Sequence, residues 1–467
     1  MGPSGIVLGL LVAGLSAPGE GSAPDRGRLV EGLECQADPT QTYTLYLPTD
    51  PPEQPRPALI VLDPRGRSVL AAELFREAAE EYGWILLSSN DSRSDTPTAE
   101  PNVRALRALW PEALARYGAD PKRMYLAGFS GTAKFAWGVG RQAEGVAGVI
   151  ASGAGWEPPH FDQKISFPCF GTAGSMDFNY TPMREVHARL REWGTPERLE
   201  IFEGAHRWMP APLAREAVEW MEVQAMKAGL RPTDTALVTR LLEKDVARAA
   251  ALEEGGRLLD AQRRYAAAAE TYDGLAPVEE ARREASRLES LPATRRLERE
   301  ERRWDEYEES MWRRHREAYA TLLAAEPPFL LARLSLGFRV GELKEHAQAE
   351  GYERVVGRRL LQTLGTNAGF YVARDLMGRG DHARAAVALA VATEATPERA
   401  GFWYNLACAR ARSGGRSSAL DALEEAVARG LDDRELIASD EDLASLHDEE
   451  RFEGLLKRLD GAEATPR

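Results

Sequence analysis

Between residues 40 and about 225, short apolar runs alternate with amphipathic stretches. The runs are Tyr43–Leu47, Ala58–Asp63, Trp84–Asn90, Arg123–Phe129, Val146–Ser152, Pro168–Gly171 and Arg198–Phe202. They are rich in Ile, Val, Leu, Tyr and Phe and end at Gly, Pro, Asp or Asn, which predicts strands. Over Val69–Tyr82, Val103–Tyr117, Ala133–Gln142, Pro182–Trp193 and Leu213–Lys227 the apolar positions recur at helical spacing. Near-continuous apolar strands separated by amphipathic helices predict an α/β fold, with a mostly parallel sheet covered on both faces.

After about residue 229 the strand signal stops, and Ala, Leu, Arg and Glu follow at helical spacing. Pro232 cannot continue a helix, and Asp234 can cap the next one. Near the C-terminus Gly380 and Gly414 lie 34 residues apart, as do Ala385 and Ala419, Leu389 and Leu423, and Ala392 and Ala426. That period is the length of a tetratricopeptide repeat, two antiparallel helices per unit, with small residues where the helices approach. Trp403 and Leu406 fall at the expected positions of the second unit, and Pro397 closes the first. Leu252–Leu275 reads as a degenerate third unit, and an isolated pair buries too little, so the helices of 235–365 are expected to extend the stack. The Arg/Glu-rich stretch Val278–Arg316 reads as a solvated helix held by i,i+4 pairs. The organisation expected is a signal peptide or flexible tail over 1–24, an α/β domain over 25–228, an all-α tetratricopeptide-like domain over 229–460 and a frayed tail over 461–467.

Composition narrows the function. With 59 Lys+Arg against 73 Asp+Glu the formal net charge is −14. Such a chain repels phosphate backbones, which argues against nucleic acid as a partner. Three cysteines, Cys35, Cys169 and Cys408, are too few for a disulfide scaffold and too scattered for a zinc site. Buried apolar roles are expected of them, with Cys35 and Cys169 as the one pair that shares a domain. No apolar run reaches the ~20 residues of a membrane span. The run Ile6–Leu15, followed by small residues, points to export, with a cytoplasmic tail as the alternative.

The most informative stretch is Gly128-Phe129-Ser130-Gly131-Thr132. A strand runs into a helix through a serine flanked by glycines, as a sharp, strained nucleophile turn requires. The fifth position of the Gly-Xaa-Ser-Xaa-Gly pattern is Thr132, a departure. A serine hydroxyl needs an imidazole base oriented by a carboxylate. Asp177 follows the run ending at Gly171, and His206 follows the run ending at Phe202, so both come after Ser130 in the order Ser, Asp, His. His187, His160, Asp162 and Glu203 are the rivals for base and acid. One oxyanion donor is expected from the Gly131 N–H, and the second from Arg65 or Gly66, because Pro64 has no N–H. Asp63 and Arg67 read as a structural ion pair in the same turn. Trp156, Phe178, Tyr180 and Trp208 are candidates for lining a substrate pocket. No phosphate loop, zinc-protease or EF-hand pattern occurs, so neither a metal nor an organic cofactor is expected.

Over residues 40–225 these motifs resemble the α/β-hydrolase superfamily, nearest to esterases of the dienelactone-hydrolase and polyhydroxyalkanoate-depolymerase kind. The matching segments are Gly128–Gly131, Gly171-Thr172-Ala173-Gly174-Ser175-Met176-Asp177 and Phe202-Glu203-Gly204-Ala205-His206-Arg207-Trp208. The resemblance implies Ser130 as nucleophile, Asp177 as orienting acid and His206 as base. It also implies a small-molecule or polymeric ester as substrate. The helical region is expected to dock a protein partner. The alternatives are a peptidase or thioesterase using the same three residues, and a catalytically idle fold that serves as a scaffold.

Overall fold

The computed structural model describes residues 24–155, 164–324 and 337–463. The expected N-terminal signal, together with Trp156, His160 and Asp162, lies outside them. The chain divides into two compact units, residues 1–298 and 299–467.

In the first unit eight strands form one sheet: β1 (Leu29–Glu34), β2 (Thr42–Tyr46), β3 (Arg56–Leu62), β4 (Ile85–Ser89), β5 (Ala119–Phe129), β6 (Val146–Ser152), β7 (Cys169–Gly174) and β8 (Glu197–Phe202). Their order is β1-β2-β4-β3-β5-β6-β7-β8. β1 pairs β2 and β2 pairs β4 antiparallel, and every other pairing is parallel. The period-2 geometry of a strand splits each apolar run between two layers. Leu59 and Val61 face α1 (Ser68–Tyr82) and α5 (Ala211–Lys227), while Ala58, Ile60 and Leu62 face α2 (Glu100–Tyr117), α3 (Gly131–Gln142) and α4 (Tyr180–Glu192). β1 has no counterpart in the apolar pattern, because this edge strand is half-exposed. Register matters most at the carboxyl ends. Phe129 of β5 stands beside Ser152 of β6, and Gly174 of β7 beside Phe202 of β8. The loops after β5, β7 and β8 therefore open on the same edge of the sheet.

The helices α6 (Thr235–Glu254), α7 (Leu258–Tyr272) and α8 (Glu279–Ser290) belong to this first unit, so the change of character near residue 229 falls inside a compact body rather than at its edge. Asp234 caps α6 through a 3.0 Å bond from the Leu237 N–H. Val223 and Met226 of α5 share a core with Leu237, Val238, Tyr265 and Ala268. A buried ionic network joins the same elements. Arg264 donates to Asp245 at 2.7 Å and to Glu200 at 2.9 Å, Tyr272 donates to Asp245 at 3.0 Å, and both Arg198 and Arg264 pair with Glu216. Thus α6 and α7, among the helices expected to extend the repeat stack, are tied to strand β8.

The helix α9 (Pro292–Ala324), which runs from the end of the first unit into the second, departs from the solvated reading of Val278–Arg316. Trp304, Glu308, Met311, His315, Ala318 and Leu322 form one buried stripe along it. Its two polar members are satisfied: Arg359 donates to Glu308 at 3.0 Å, and the His315 Nε2–H donates to the Phe338 carbonyl at 3.2 Å. Burial holds the His315 pKa down to about 4 from its ordinary 6.5. A depressed histidine pKa means the unfolded chain takes up the proton first. Its contribution to stability is full above pH 6.5 and is lost as pH falls toward 4, to a total of about 3 kcal/mol. Urea unfolding at pH 7 and pH 4.5 is expected to show this loss. In His315→Gln, which keeps a donor for Phe338, the slope is expected to flatten. An equal slope in both proteins would remove His315 from the account.

The 34-residue correspondence appears as equivalent burial. Ala385, Leu389 and Ala392 on the helix His382–Ala395 are fully buried, as are Ala419, Leu423 and Ala426 on Arg416–Ala428. Gly380 and Gly414 both take positive φ, at 76° and 88°, to turn the chain before each helix. The last helix, Glu450–Glu463, runs past Gly461, where a frayed tail was expected. All three cysteines are free and buried, without a Cys35–Cys169 bridge. Burial, reinforced by Glu112, pushes the Cys35 thiol up to about 12.

Candidate active site

Ser130 stands between the end of β5 and the start of α3 with φ 54° and ψ −124°. It is one of two non-glycine residues at positive φ among the described residues. Such a conformation costs roughly 1–3 kcal/mol and persists where neighbours over-determine it. Here they do. The Ser130 N–H donates to the Ser152 carbonyl at 2.9 Å. A Cβ on Gly128 would fall 2.5 Å from the Thr132 carbonyl oxygen, so that position tolerates glycine alone. Thr132, the departure from the pattern, is fully buried, and its hydroxyl has a structural use. It accepts from the Phe129 N–H at 3.1 Å and donates toward the Leu62 carbonyl at 2.5 Å, tying the turn to β3.

The loops after β7 and β8 are locked together. The Ser175 N–H donates to the Phe202 carbonyl and the Met176 N–H to the Gly204 carbonyl, each at 2.8 Å. A Cβ on Gly174 would sit 2.3 Å from the Gly204 carbonyl oxygen, so the approach depends on a glycine. This pairing brings Asp177 to His206. The imidazole Nδ1 lies 2.9 Å from Asp177 Oδ1 and 3.0 Å from Oδ2, and Nε2 lies 2.9 Å from Ser130 Oγ. Asp177 is fully buried, and Asn179 braces it, its N–H donating to Oδ1 at 2.8 Å while its side-chain amide donates to the Gly153 carbonyl at 2.6 Å. With Nδ1–H directed at the carboxylate, Nε2 is left as the acceptor for the serine hydroxyl.

Two aromatic rings hold the imidazole, Phe129 at 4.6 Å and Phe178 at 4.3 Å between centroids. Of the other expected pocket residues, Tyr180 is buried at the start of α4. Trp208 is buried too, packed on Phe75 and Phe129, and its indole N–H donates to Asp63 at 2.8 Å. Both are packing residues. The rival base His187 is buried elsewhere, against Glu197 at 2.7 Å, and Glu203 is exposed.

The turn after β3 differs from expectation. Asp63 is fully buried and collects its neighbours: the Arg65 N–H donates to its Oδ1 at 2.8 Å, the Arg67 N–H at 3.2 Å, and the Arg67 guanidinium at 3.0 and 2.9 Å. The Gly66 N–H donates to the Asp63 carbonyl at 3.1 Å. Burial pushes the Asp63 carboxyl up, but the bonds from Arg67, Trp208 and the backbone outweigh it and hold the pKa below the ordinary value. The Asp63–Arg67 pair is structural, as read. The expected second oxyanion donors, Arg65 and Gly66, have their N–H groups turned onto Asp63.

Among the described residues, one group of potential metal ligands occurs, Cys408, Asp440 and Asp442 in the second unit. Its members already serve the protein: Asp440 accepts from Tyr404 and from the Asp442 N–H.

Phe129, Asn179 and Gly153 escaped the sequence reading, since each acts through a residue remote in the chain. A Cβ on Gly153 would meet Phe129, Asp177 and His206 at 2.9, 3.1 and 3.3 Å.

A mostly parallel eight-stranded sheet in this order, with a strained serine turn after its fifth strand, is the α/β-hydrolase fold. No protein-family model matches the chain, and no curated protein does. Among solved structures the chain is similar to an esterase from Pyrobaculum calidifontis, at 14% identity over 43% of this chain and 85% of that one, with a TM-score of 0.33. It is similar to S-formylglutathione hydrolase from Staphylococcus aureus at 17% identity over 43% and 99%, with a TM-score of 0.35. A bacterial heroin esterase matches at 19% identity over 44% and 84%, with a TM-score of 0.34. No described helix is long and apolar enough to cross a membrane.

Proposed function

We propose that the protein is a serine hydrolase that cleaves carboxylic esters through an acyl-enzyme. The observation that carries this reading is the unbroken chain Ser130 Oγ–His206 Nε2, His206 Nδ1–Asp177, built on a strained turn. Nε2 takes the hydroxyl proton as Oγ attacks the carbonyl carbon. The carbonyl electron pair moves onto oxygen, then returns to expel the alkoxide, which leaves with the proton from Nε2. Water repeats the sequence on the acyl-enzyme and releases the acid. Asp177 orients the imidazole and stabilises the imidazolium. The helical second unit is read as a tetratricopeptide-like stack that docks a protein segment. The equivalent burial one period apart supports this.

The idle-fold reading has one observation in its favour, the turn after β3 with its N–H groups closed onto Asp63. Turnover decides between them. The purified chain is to be given p-nitrophenyl acetate, an acetyl thioester and acetyl p-nitroanilide, beside a fluorophosphonate label. Ester turnover and labelling without anilide cleavage is the expected result. Anilide cleavage at a comparable rate would move the assignment to a peptidase. A folded protein that neither turns over nor labels is an idle site.

A further inference from the structure

The serine hydrolase reading leaves the oxyanion with one backbone donor, the Gly131 N–H, because the turn Asp63–Arg67 directs its own N–H groups inward. Losing a donor costs an acyl-transfer site about 10²–10³-fold in kcat. A neighbouring loop supplies a different group. The segment Ser92–Ser94, just past β4, is held at every residue. The Ser92 hydroxyl donates to the Asp63 carbonyl at 2.7 Å. The Arg93 N–H donates to Asn102 Oδ1 at 2.9 Å, and Asn102 Nδ2 donates back to the Arg93 carbonyl at 2.6 Å. The Ser94 N–H donates to the Pro64 carbonyl at 3.0 Å.

That anchoring sets the Ser94 side chain directly against the residue after the nucleophile. A Cβ built on Gly131 would fall 2.3 Å from Ser94 Cβ and 2.9 Å from Ser94 Oγ. The Ser94 hydroxyl therefore lies against Gly131, the residue whose N–H serves as first donor. Ser94 is exposed, and among the described residues its hydroxyl has no hydrogen-bond partner. Gly131 thus has a use beyond easing the turn: it leaves the space that Ser94 fills. The buried Asp63 has two effects. It withdraws the backbone donors and, through Ser92 and Pro64, fixes the segment that carries the hydroxyl.

We infer that the Ser94 side-chain hydroxyl is the second oxyanion donor. This rests on the serine hydrolase reading. As Ser130 Oγ bonds to the acyl carbon, the carbonyl electron pair shifts to oxygen, and the Gly131 N–H and Ser94 O–H both donate to it. No proton leaves Ser94, and the interaction ends when the carbonyl re-forms. The pinned backbone leaves only rotation of the hydroxyl to aim the donor at that moment.

The test compares wild type, Ser94→Ala, Ser94→Cys and Ser130→Ala as full chains, with p-nitrophenyl acetate as substrate and an aryl trifluoromethyl ketone as inhibitor. The ketone forms a tetrahedral adduct on Ser130 that carries the oxyanion. Ser94→Ala is expected to lower kcat about 10²-fold with little change in KM, and to weaken the ketone by the same factor. The thiol of Ser94→Cys, a poorer donor, falls between. Melting temperatures should stay at the wild-type value. Wild-type turnover and ketone affinity in both Ser94 variants, with Ser130→Ala inactive, would overturn the Ser94 assignment and leave the hydrolase reading standing. A Ser94→Ala loss that appears in KM or melting temperature, without weaker ketone binding, would assign Ser94 a structural role instead. Wild type inert toward ester and ketone would overturn both, since no oxyanion would form for Ser94 to hold.

Discussion

Ser130→Ala is expected to lower kcat for p-nitrophenyl acetate by about 10⁴–10⁶-fold and to abolish fluorophosphonate labelling. The loss is large because the whole covalent route runs through one oxygen, held 2.9 Å from its base. His206→Ala is expected to cost about as much, and the double variant little more, because the two residues act as a unit. Asp177→Asn should cost about 10⁴-fold. Its two oxygens both lie within 3.0 Å of Nδ1, and an amide there favours the tautomer that puts the proton on Nε2, where it cannot accept from Ser130. None of the three should change the melting temperature by more than a few degrees, since each keeps the backbone of its loop. Circular dichroism melts beside steady-state kinetics make the check. Full activity in Ser130→Ala would dismiss the serine mechanism.

The second large effect is on stability. Asp245→Ala is expected to destabilise the first unit by about 3–5 kcal/mol, read as a shift in the urea midpoint. Asp245 is buried on α6 and accepts from Arg264 at 2.7 Å and from Tyr272 at 3.0 Å, with Arg198 Nη1 at 3.4 Å. Burial opposes the Arg198 charge, yet Asp245, Glu200 and Glu216 hold its pKa above the ordinary arginine value. Removing one carboxylate leaves the buried Arg198 and Arg264 only Glu200 and Glu216 to share, and the penalty is the desolvation of charge that is then less fully compensated. By the same argument a chain cut after residue 228 should fail to fold. It would strip Asp245 from Arg198 and Arg264 from Glu200 and Glu216, and expose the Val223–Met226 face. A soluble, active 1–228 fragment would show that α6–α8 are an attachment to the sheet and not part of its body. Arg198 sits on β8, the strand that leads into His206, so the network also steadies the base.

The chain announces its layered fold through local periods. Alternation at two and at 3.6 residues marks β2–β8 and α1–α5 to within a few residues. Ser130, Asp177 and His206 are legible because each follows a strand end in a recognisable local setting. Elsewhere local patterns mislead for identifiable reasons. β1 carries too little apolar alternation to register, since an edge strand buries only part of one face. The Arg/Glu-rich helix α9 hides a buried stripe because its polar members, Glu308 and His315, are satisfied by Arg359 and the Phe338 carbonyl, both remote in sequence.

What the sequence determined by itself, then, is the α/β layering, the helical C-terminal region with its 34-residue correspondence, and the order of Ser130, Asp177 and His206. These are short-range properties, written in periods and motifs of a few residues. The tertiary structure alone decided that α6 and α7 bind β8, that Trp208 and Arg67 close around Asp63, and that Ser94 rests on Gly131. Each depends on which distant groups meet, and on the requirement that every buried charge and N–H find a partner, a condition satisfied in three dimensions and not along the chain.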